Sequence, residues 1–289
     1  MEQEPEITND DVAIEDIEID LLLEAIFQRY GYDFRSYTKA SIRRRIMHRL
    51  GLSGMDNVTR MTECVLRDRE FFVSLLNDLT VNVTDMFRDP EFYLAFRREV
   101  VPLLKTFPFL KIWHAGCATG EEIYSMAILL EEEGLYDRSI IYATDIDKNV
   151  LASAKKGIYP ISSMRQFSEN YRAAGGTGSL SDYYTAKYDG AILDQRLKRN
   201  IVFADHDLVT DQVFGEMNVI LCRNVLIYFD RELQQRVFRL FFDSLDMGGV
   251  LCLGTKETLR YSGLEEAFEA IDERLRIFRK RQFSPRESR

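Results

Sequence analysis

The sequence is 289 residues long, 46% apolar and 29% charged, which fits one large core or two modest ones. Its net charge of −9 argues against a general nucleic-acid binder, and no apolar run approaches membrane-spanning length. The acidic start predicts neither signal peptide nor anchor, and Cys64, Cys117, Cys222 and Cys252 lack metal-ligand spacing, so reduced thiols in a cytoplasmic protein without a bound metal are expected.

Residues 1–13 are polar and acidic and are expected to form a mobile tail. Ile14–Tyr30 follows as an amphipathic helix that Gly31 stops. Charge is segregated here: residues 1–24 hold ten acids and no Lys or Arg, whereas residues 29–50 hold seven bases against one acid, Asp33. Ser41–Leu50 reads as a second helix, with Ile42, Ile46 and Leu50 on one face and Arg43, Arg44, Arg45 and Arg49 over the remainder. Asn57–Leu66 and Arg69–Leu79 continue the helical pattern, and no strand is evident before residue 110. Residues 14–80 are therefore expected to form a small all-helical domain, and residues 81–289 a second domain.

In that second part Glu91–Leu104 reads as a helix, after which strands and helices alternate. The strand candidates are Lys111–Ala115, Ile140–Thr144, Ile201–Ala204, Val219–Cys222 and Gly249–Gly254, an order that predicts a mostly parallel sheet. Phe268–Ile271 and Leu275–Arg279 add two short strands about a tight turn. One segment breaks the alternation. Tyr183–Tyr188 and Ala191–Leu197 flank Asp189-Gly190, a strong hairpin signal, so an antiparallel subdomain at about 165–200 is expected between the second and third strands.

The stretch Lys111–Tyr124 (KIWHAGCATGEEIY) holds a strand, a glycine loop and a helix start, the way doubly wound α/β domains open a nucleotide site. The loop is G-x-x-x-G, and Glu121 and Glu122 stand where a pyrophosphate would need bare N–H groups. S-adenosylmethionine (SAM), with an adenosine and a positive charge but no phosphate, fits better than a dinucleotide. A purely structural strand–turn–helix corner is the alternative. At the end of the second strand candidate, Asp145 is placed to accept the ribose hydroxyls, the alternative being a helix N-cap, which Asp147 could fill instead. Taken alone, Thr84 in NVTDMFR reads as an N-cap and Arg88 as a surface base. Arg223 and Asn224 in CRNVLIYFD follow the fourth strand, where the switch-point crevice opens.

Together these stretches resemble the chemotaxis receptor glutamate methyltransferases, the CheR family. The resemblance lies in NVTDMFRD (82–89), ATGEEIYS (118–125), ATDIDKNVLASAKKGIY (143–159) and CRNVLIYFD (222–230), and runs from about Tyr30 to Arg281. It implies a class I, Rossmann-like methyltransferase domain: a mostly parallel sheet with helices on both faces and an inserted antiparallel β-subdomain, behind an all-helical N-terminal domain. SAM as donor, S-adenosylhomocysteine as product and receptor glutamates as acceptors follow from it. By the same resemblance Asn82, Thr84 and Arg88 contact SAM. Glu122 holds the methionine amino end, with Glu121 as second choice, and Asp145 takes the ribose. Asp207 and Leu208 lie near the adenine, Arg223 and Asn224 form the strand-four pair, and Tyr228 is the aromatic beside the transferring methyl. Three departures stand out: HAGCATGEE for the usual SAASTGEE, Asp207 for Asn, and Gly254-Thr255-Lys256-Glu257 for GHSE.

A carboxylate acceptor is already an anion at neutral pH, so transfer needs placement and exclusion of water rather than a general base. Arg88 and Tyr228 are the candidates for holding it, with SAM's own carboxylate as the alternative partner of Arg88. Arg43, Arg44 and Arg49 are expected to dock an acidic receptor helix, the alternative being a solvated helix face. The hairpin edge, with Tyr183, Tyr184 and Arg196, offers a place for an extended receptor tail, the alternative being a merely solvated hairpin. The rival readings are a methyltransferase of this fold with another protein acceptor, and a non-catalytic SAM-binding adaptor.

Overall fold

The computed structural model describes residues 9–80, 82–213 and 215–281, with side chains from residue 13 onward. The chain divides into two compact units, residues 1–81 with 228–233, and residues 82–227 with 234–289.

Four helices build the first unit: α1 Asn9–Tyr30, α2 Lys39–Ser53, α3 Val58–Arg67 and α4 Arg69–Leu79. Their apolar positions at helical spacing, among them Leu22, Ile26, Ile42, Ile46, Met61, Val65, Leu75 and Leu79, close a common core. Asn57 caps α3 by accepting from the Arg60 N–H (2.9 Å), and Asp68 caps α4 from the Glu70 N–H (2.8 Å). Helix α1 is described from Asn9, five residues before the expected Ile14. The rest of the expected tail, residues 1–8, lies outside the described residues.

The segregated charges of the sequence meet within this unit. Arg43 pairs with Asp16 (2.7 Å) and Glu15 (3.1 Å), Arg35 with Glu24 (2.8 Å), and Arg49 with Asp78. Arg45 departs from the expected solvent face and is buried, donating to the Leu79 carbonyl. Residues 228–233 complete its surroundings. Thr38 N–H donates to the Tyr228 carbonyl (2.8 Å), and the Tyr228 ring lies 4.5 Å from the Arg45 guanidinium, so a distant segment shields the charge.

The second unit begins with α5 Pro90–Ala95 and α6 Val101–Leu104, separated by a π-helical turn at Phe96–Val100. One continuous helix was expected; Pro102 has no N–H for the Arg98 carbonyl, and the ladder widens just ahead of it. The remaining elements follow in order: β1 Leu110–Ala115, α7 Glu121–Glu132, β2 Ser139–Asp145, α8 Lys148–Lys156, β3 Ile158–Pro160, α9 Met164–Ala173, β4 Tyr184–Lys187, β5 Gly190–Leu193, β6 Ile201–Asp205, β7 Met217–Cys222, α10 Arg231–Ser244, β8 Leu245–Leu253, β9 Phe268–Asp272 and β10 Ile277–Lys280. The seven-stranded sheet runs β6-β2-β1-β7-β8-β10-β9. Its first five strands are parallel, and β10 is antiparallel to both neighbours. The parallel strands are near-continuous apolar runs, as strands covered on both faces must be. Trp113 is fully buried and donates its indole N–H to Thr144 Oγ1 at 2.8 Å.

A separate three-stranded sheet, β3-β5-β4, carries the expected hairpin and one strand more. Ile158 pairs with Ile192 and Tyr159 with Ala191, so β5 is central and β3 and β4 are the two edge strands. The subdomain therefore starts before residue 165, and its last expected strand ends at Leu193, after which Asp194 opens a 3₁₀ turn over Gln195–Lys198. Tyr183 is buried, its hydroxyl donating to Glu132 (3.3 Å), and is not presented at the edge. Among the described residues the four cysteines are free, and no helix is long and apolar enough to cross a membrane.

Candidate donor-binding site

Strand order reverses between β1 and β7: the chain moves outward from β1 through β2 to β6, then returns to β7 on the other side. Ligands of doubly wound sheets bind beyond the carboxyl ends of strands at such a point. Here the loop after β1, residues 116–120, meets the loop after β7. Gly116 has φ +77°, and a Cβ on it would come within 2.5 Å of Val225 Cγ2, so no larger residue fits this approach. The N–H groups of Gly116 and Cys117 both donate to the Thr144 carbonyl (2.9 Å each), tying the loop to the end of β2.

Asp145, at that end, is buried and accepts from two main-chain donors, Ala118 N–H (2.9 Å) and Asp147 N–H (3.0 Å). Burial pushes its carboxyl up, against those donors. Asp147 caps α8 by accepting from the Asn149 N–H (2.8 Å). The N-cap alternative therefore belongs to Asp147, and Asp145 keeps lone pairs for a ligand.

The two glutamates at the start of α7 differ. Glu122 Oε1 meets His114 Nδ1 at 3.0 Å, and Oε2 accepts from Arg223 Nη1 at 2.9 Å. Burial opposes its ionisation, but His114 and Arg223 together hold it below the ordinary carboxylate value. Glu121 is also buried, and its carboxylate accepts from the Thr119 hydroxyl at 2.7 Å. Burial pushes Glu121 up to about 7. Of the pair, Glu121 is the acid whose oxygens the fold leaves less engaged.

Arg223 continues the network. Its Nη2 donates to Asp89 Oδ2 (2.8 Å) and to the Arg88 carbonyl (3.3 Å), and its guanidinium lies 4.2 Å from the Phe92 ring. It thereby holds the loop that carries Asn82, Thr84 and Arg88. That loop is strained: Phe87 (φ 52°) and Asp89 (φ 56°) both occupy the left-handed region, which disfavours side chains with a Cβ. Ser125 Oγ accepts from the Phe87 N–H (2.8 Å), and Asn170 donates to the Met86 carbonyl (3.0 Å).

Glu257, the last residue of the Gly254-Thr255-Lys256-Glu257 departure, organises the loop after β7. Its buried carboxylate accepts four main-chain N–H groups, from Asn224 (3.1 Å), Val225 (2.8 Å), Leu226 (2.8 Å) and Gly254 (2.5 Å). Those bonds fix Asn224 at φ 63°. The only sequence signal was an acid in a short loop after a strand. Asp207 uses its oxygens within its own turn, accepting from the Val209 N–H (2.8 Å) and the Thr210 hydroxyl (3.1 Å); Leu208 is buried beside it. Tyr228 falls in the segment that belongs to the helical unit, as do Arg43, Arg44 and Arg49. Of those arginines, Arg44 is exposed and carries no partner among the described residues.

Two family models match the sequence: the CheR methyltransferase SAM-binding domain over residues 82–277, and the CheR methyltransferase all-alpha domain over residues 17–80. The chain belongs to the CheR methyltransferase family. A Pseudomonas putida protein named Cher3 is 54% identical over 265 residues, 92% of this chain and 97% of its own. The chemotaxis protein methyltransferase of Salmonella typhimurium is 29% identical over 268 residues, covering 89% of this chain and 88% of that one. Among solved structures, the N-methyltransferase NodS from Bradyrhizobium japonicum is similar at 14% identity and a TM-score of 0.40, over 68% of this chain and 89% of that one.

As a CheR-family methyltransferase the protein takes SAM as its donor. The residues gathered at the β1–β7 switch point fit that ligand: a buried acid at the end of β2, acids in the first turn of α7, and a glycine loop that brings main chain close. The helical N-terminal unit and the three-stranded inserted sheet are the other parts expected of the family.

Proposed function

We propose that this methyltransferase transfers the methyl group of SAM to glutamate side-chain carboxylates of a chemoreceptor, and so tunes adaptation in chemotactic signalling. The observation that carries this reading is the match of both CheR domain models in succession, over residues 17–80 and 82–277. The acceptor glutamate, ionised at neutral pH, attacks the sulfonium methyl with an oxygen lone pair; the S–CH₃ bond breaks, its electrons remain on sulfur, and S-adenosylhomocysteine leaves. No proton needs to move, so the chain's contribution is placement and exclusion of water.

Within the donor site Asp145 takes the ribose hydroxyls, Glu121 or Glu122 the ammonium, and Asn82, Thr84 and Arg88 the remaining polar groups. The engagement of Glu122 with His114 and Arg223 favours Glu121 for the ammonium. A receptor tail pairs with β4, the hairpin strand at one edge of the three-stranded sheet. The test is incubation with radiolabelled SAM and native membranes. Base-labile label on a receptor-sized protein is the expected result. Base-stable label, or label on a protein that is not a receptor, would overturn the glutamate acceptor.

A further inference from the structure

His114 is the penultimate residue of β1, in a run where an aliphatic residue would serve packing alone, and it is buried to 1% exposure. Its Nδ1 lies 3.0 Å from Glu122 Oε1, while its Nε2 has no partner among the described residues. An ionised Glu122 only accepts, so Nδ1 carries the proton. Burying an imidazole with one orphaned nitrogen is unfavourable against leucine unless the other nitrogen is used. What it reaches is the network that ends on the donor loop: Glu122 to Arg223 at 2.9 Å, and Arg223 to Asp89 at 2.8 Å and to the Arg88 carbonyl at 3.3 Å.

We infer that His114 is a positioning residue for the donor site: it fixes the Glu122 carboxylate so that its second oxygen pins Arg223, and Arg223 in turn fixes the strained Asn82–Asp89 loop. The inference deepens the reading of that loop as a SAM contact and rests on it. Two of the loop's residues have positive φ, so its conformation needs external support. Without a donor at Nδ1, Glu122 Oε1 is left unpaired in a buried position and the carboxylate turns toward water, releasing Arg223. The loop then relaxes, and donor affinity falls although no residue contacting SAM has changed.

The experiment is calorimetric titration of S-adenosylhomocysteine into the full chain, with Tm measured alongside. The variants are His114→Asn, whose amide nitrogen stands where Nδ1 stands, and His114→Leu, which has no donor. The expected result is a Kd raised about tenfold in His114→Leu and within about threefold of the parent in His114→Asn. Should His114→Leu not fold, His114→Gln replaces it, since its amide reaches the Nε2 position instead. Parental affinity in the donorless variant overturns the inference, and so do equal losses in both variants, which would assign His114 to packing. Strictly additive effects of His114→Leu and Arg223→Met would also overturn it, because linked residues must couple. Thr84→Ala separates the underlying reading: parental affinity in that variant removes the loop from the donor site, whatever the histidine variants do.

Discussion

The guanidinium of Arg223 bridges two carboxylates, Glu122 Oε2 at 2.9 Å and Asp89 Oδ2 at 2.8 Å, and so joins positions 134 residues apart in the chain. Its side chain is 2% exposed. Removing one partner of a buried ion pair leaves the other charge uncompensated, at about 3–5 kcal/mol. Arg223→Met is accordingly expected to lower stability by about that amount, read from denaturant unfolding. A loss below about 1 kcal/mol would mean that Glu122 and Asp89 reach water when Arg223 is gone.

Asp145→Asn is expected to weaken S-adenosylhomocysteine binding at least tenfold, about 1.4 kcal/mol. An amide offers one acceptor oxygen where the carboxylate serves Ala118 N–H, Asp147 N–H and the ligand. Calorimetric titration measures it. Parental affinity in a folded variant would remove Asp145 from the donor site.

Glu121 gives a pH dependence. Its carboxyl is pushed up to about 7 by burial from an ordinary value of 4.5. Between those values the folded protein keeps a proton that the unfolded chain has lost, so stability falls as pH rises through this window. The penalty is absent below 4.5 and complete above about 7, at roughly 3 kcal/mol. Glu121→Gln should therefore raise Tm of the ligand-free protein at pH 8 far more than at pH 5. It should also weaken SAM binding at pH 8, where the parent offers a charge to the ammonium. An equal change in Tm at both pH values would show that the carboxyl is not desolvated.

The basic helix yields a narrower prediction than its sequence did. Arg43 and Arg49 are already paired with Asp16, Glu15 and Asp78. Arg44 is exposed and unpaired among the described residues. Arg44→Ala is expected to raise the receptor KM about two- to fivefold and to flatten the salt dependence of kcat/KM, with SAM affinity unchanged. If Arg43→Ala has the larger effect, the intramolecular pairs give way to the receptor instead.

Much of this was readable from local sequence because local chemistry dictates it. The apolar runs of β1, β2 and β7 can only be buried strands, and Asp189-Gly190 can hardly be anything but a hairpin turn. The parts that escaped depend on distant partners. Strand β3 is three residues long and ends in Pro160, and exists only because Ile158 and Tyr159 find β5. Arg45 sits beside the apolar stripe of α2, and its burial depends on Leu79 and on Tyr228. Glu257 looks like any loop acid until the loop after β7 is folded over it. Sequence placed both glutamates at the start of α7, but which is engaged follows from His114 and Arg223 alone.

Strand β10 lies between β8 and β9 although it follows both in the chain. During synthesis β9 emerges with no neighbour to pair with, and β8 with one edge bare, until Ile277–Lys280 has left the ribosome. The sheet can therefore be completed only from the inside, and a nascent chain halted before Ile277 presents two unpaired edges at once, the situation in which strands recruit wrong partners.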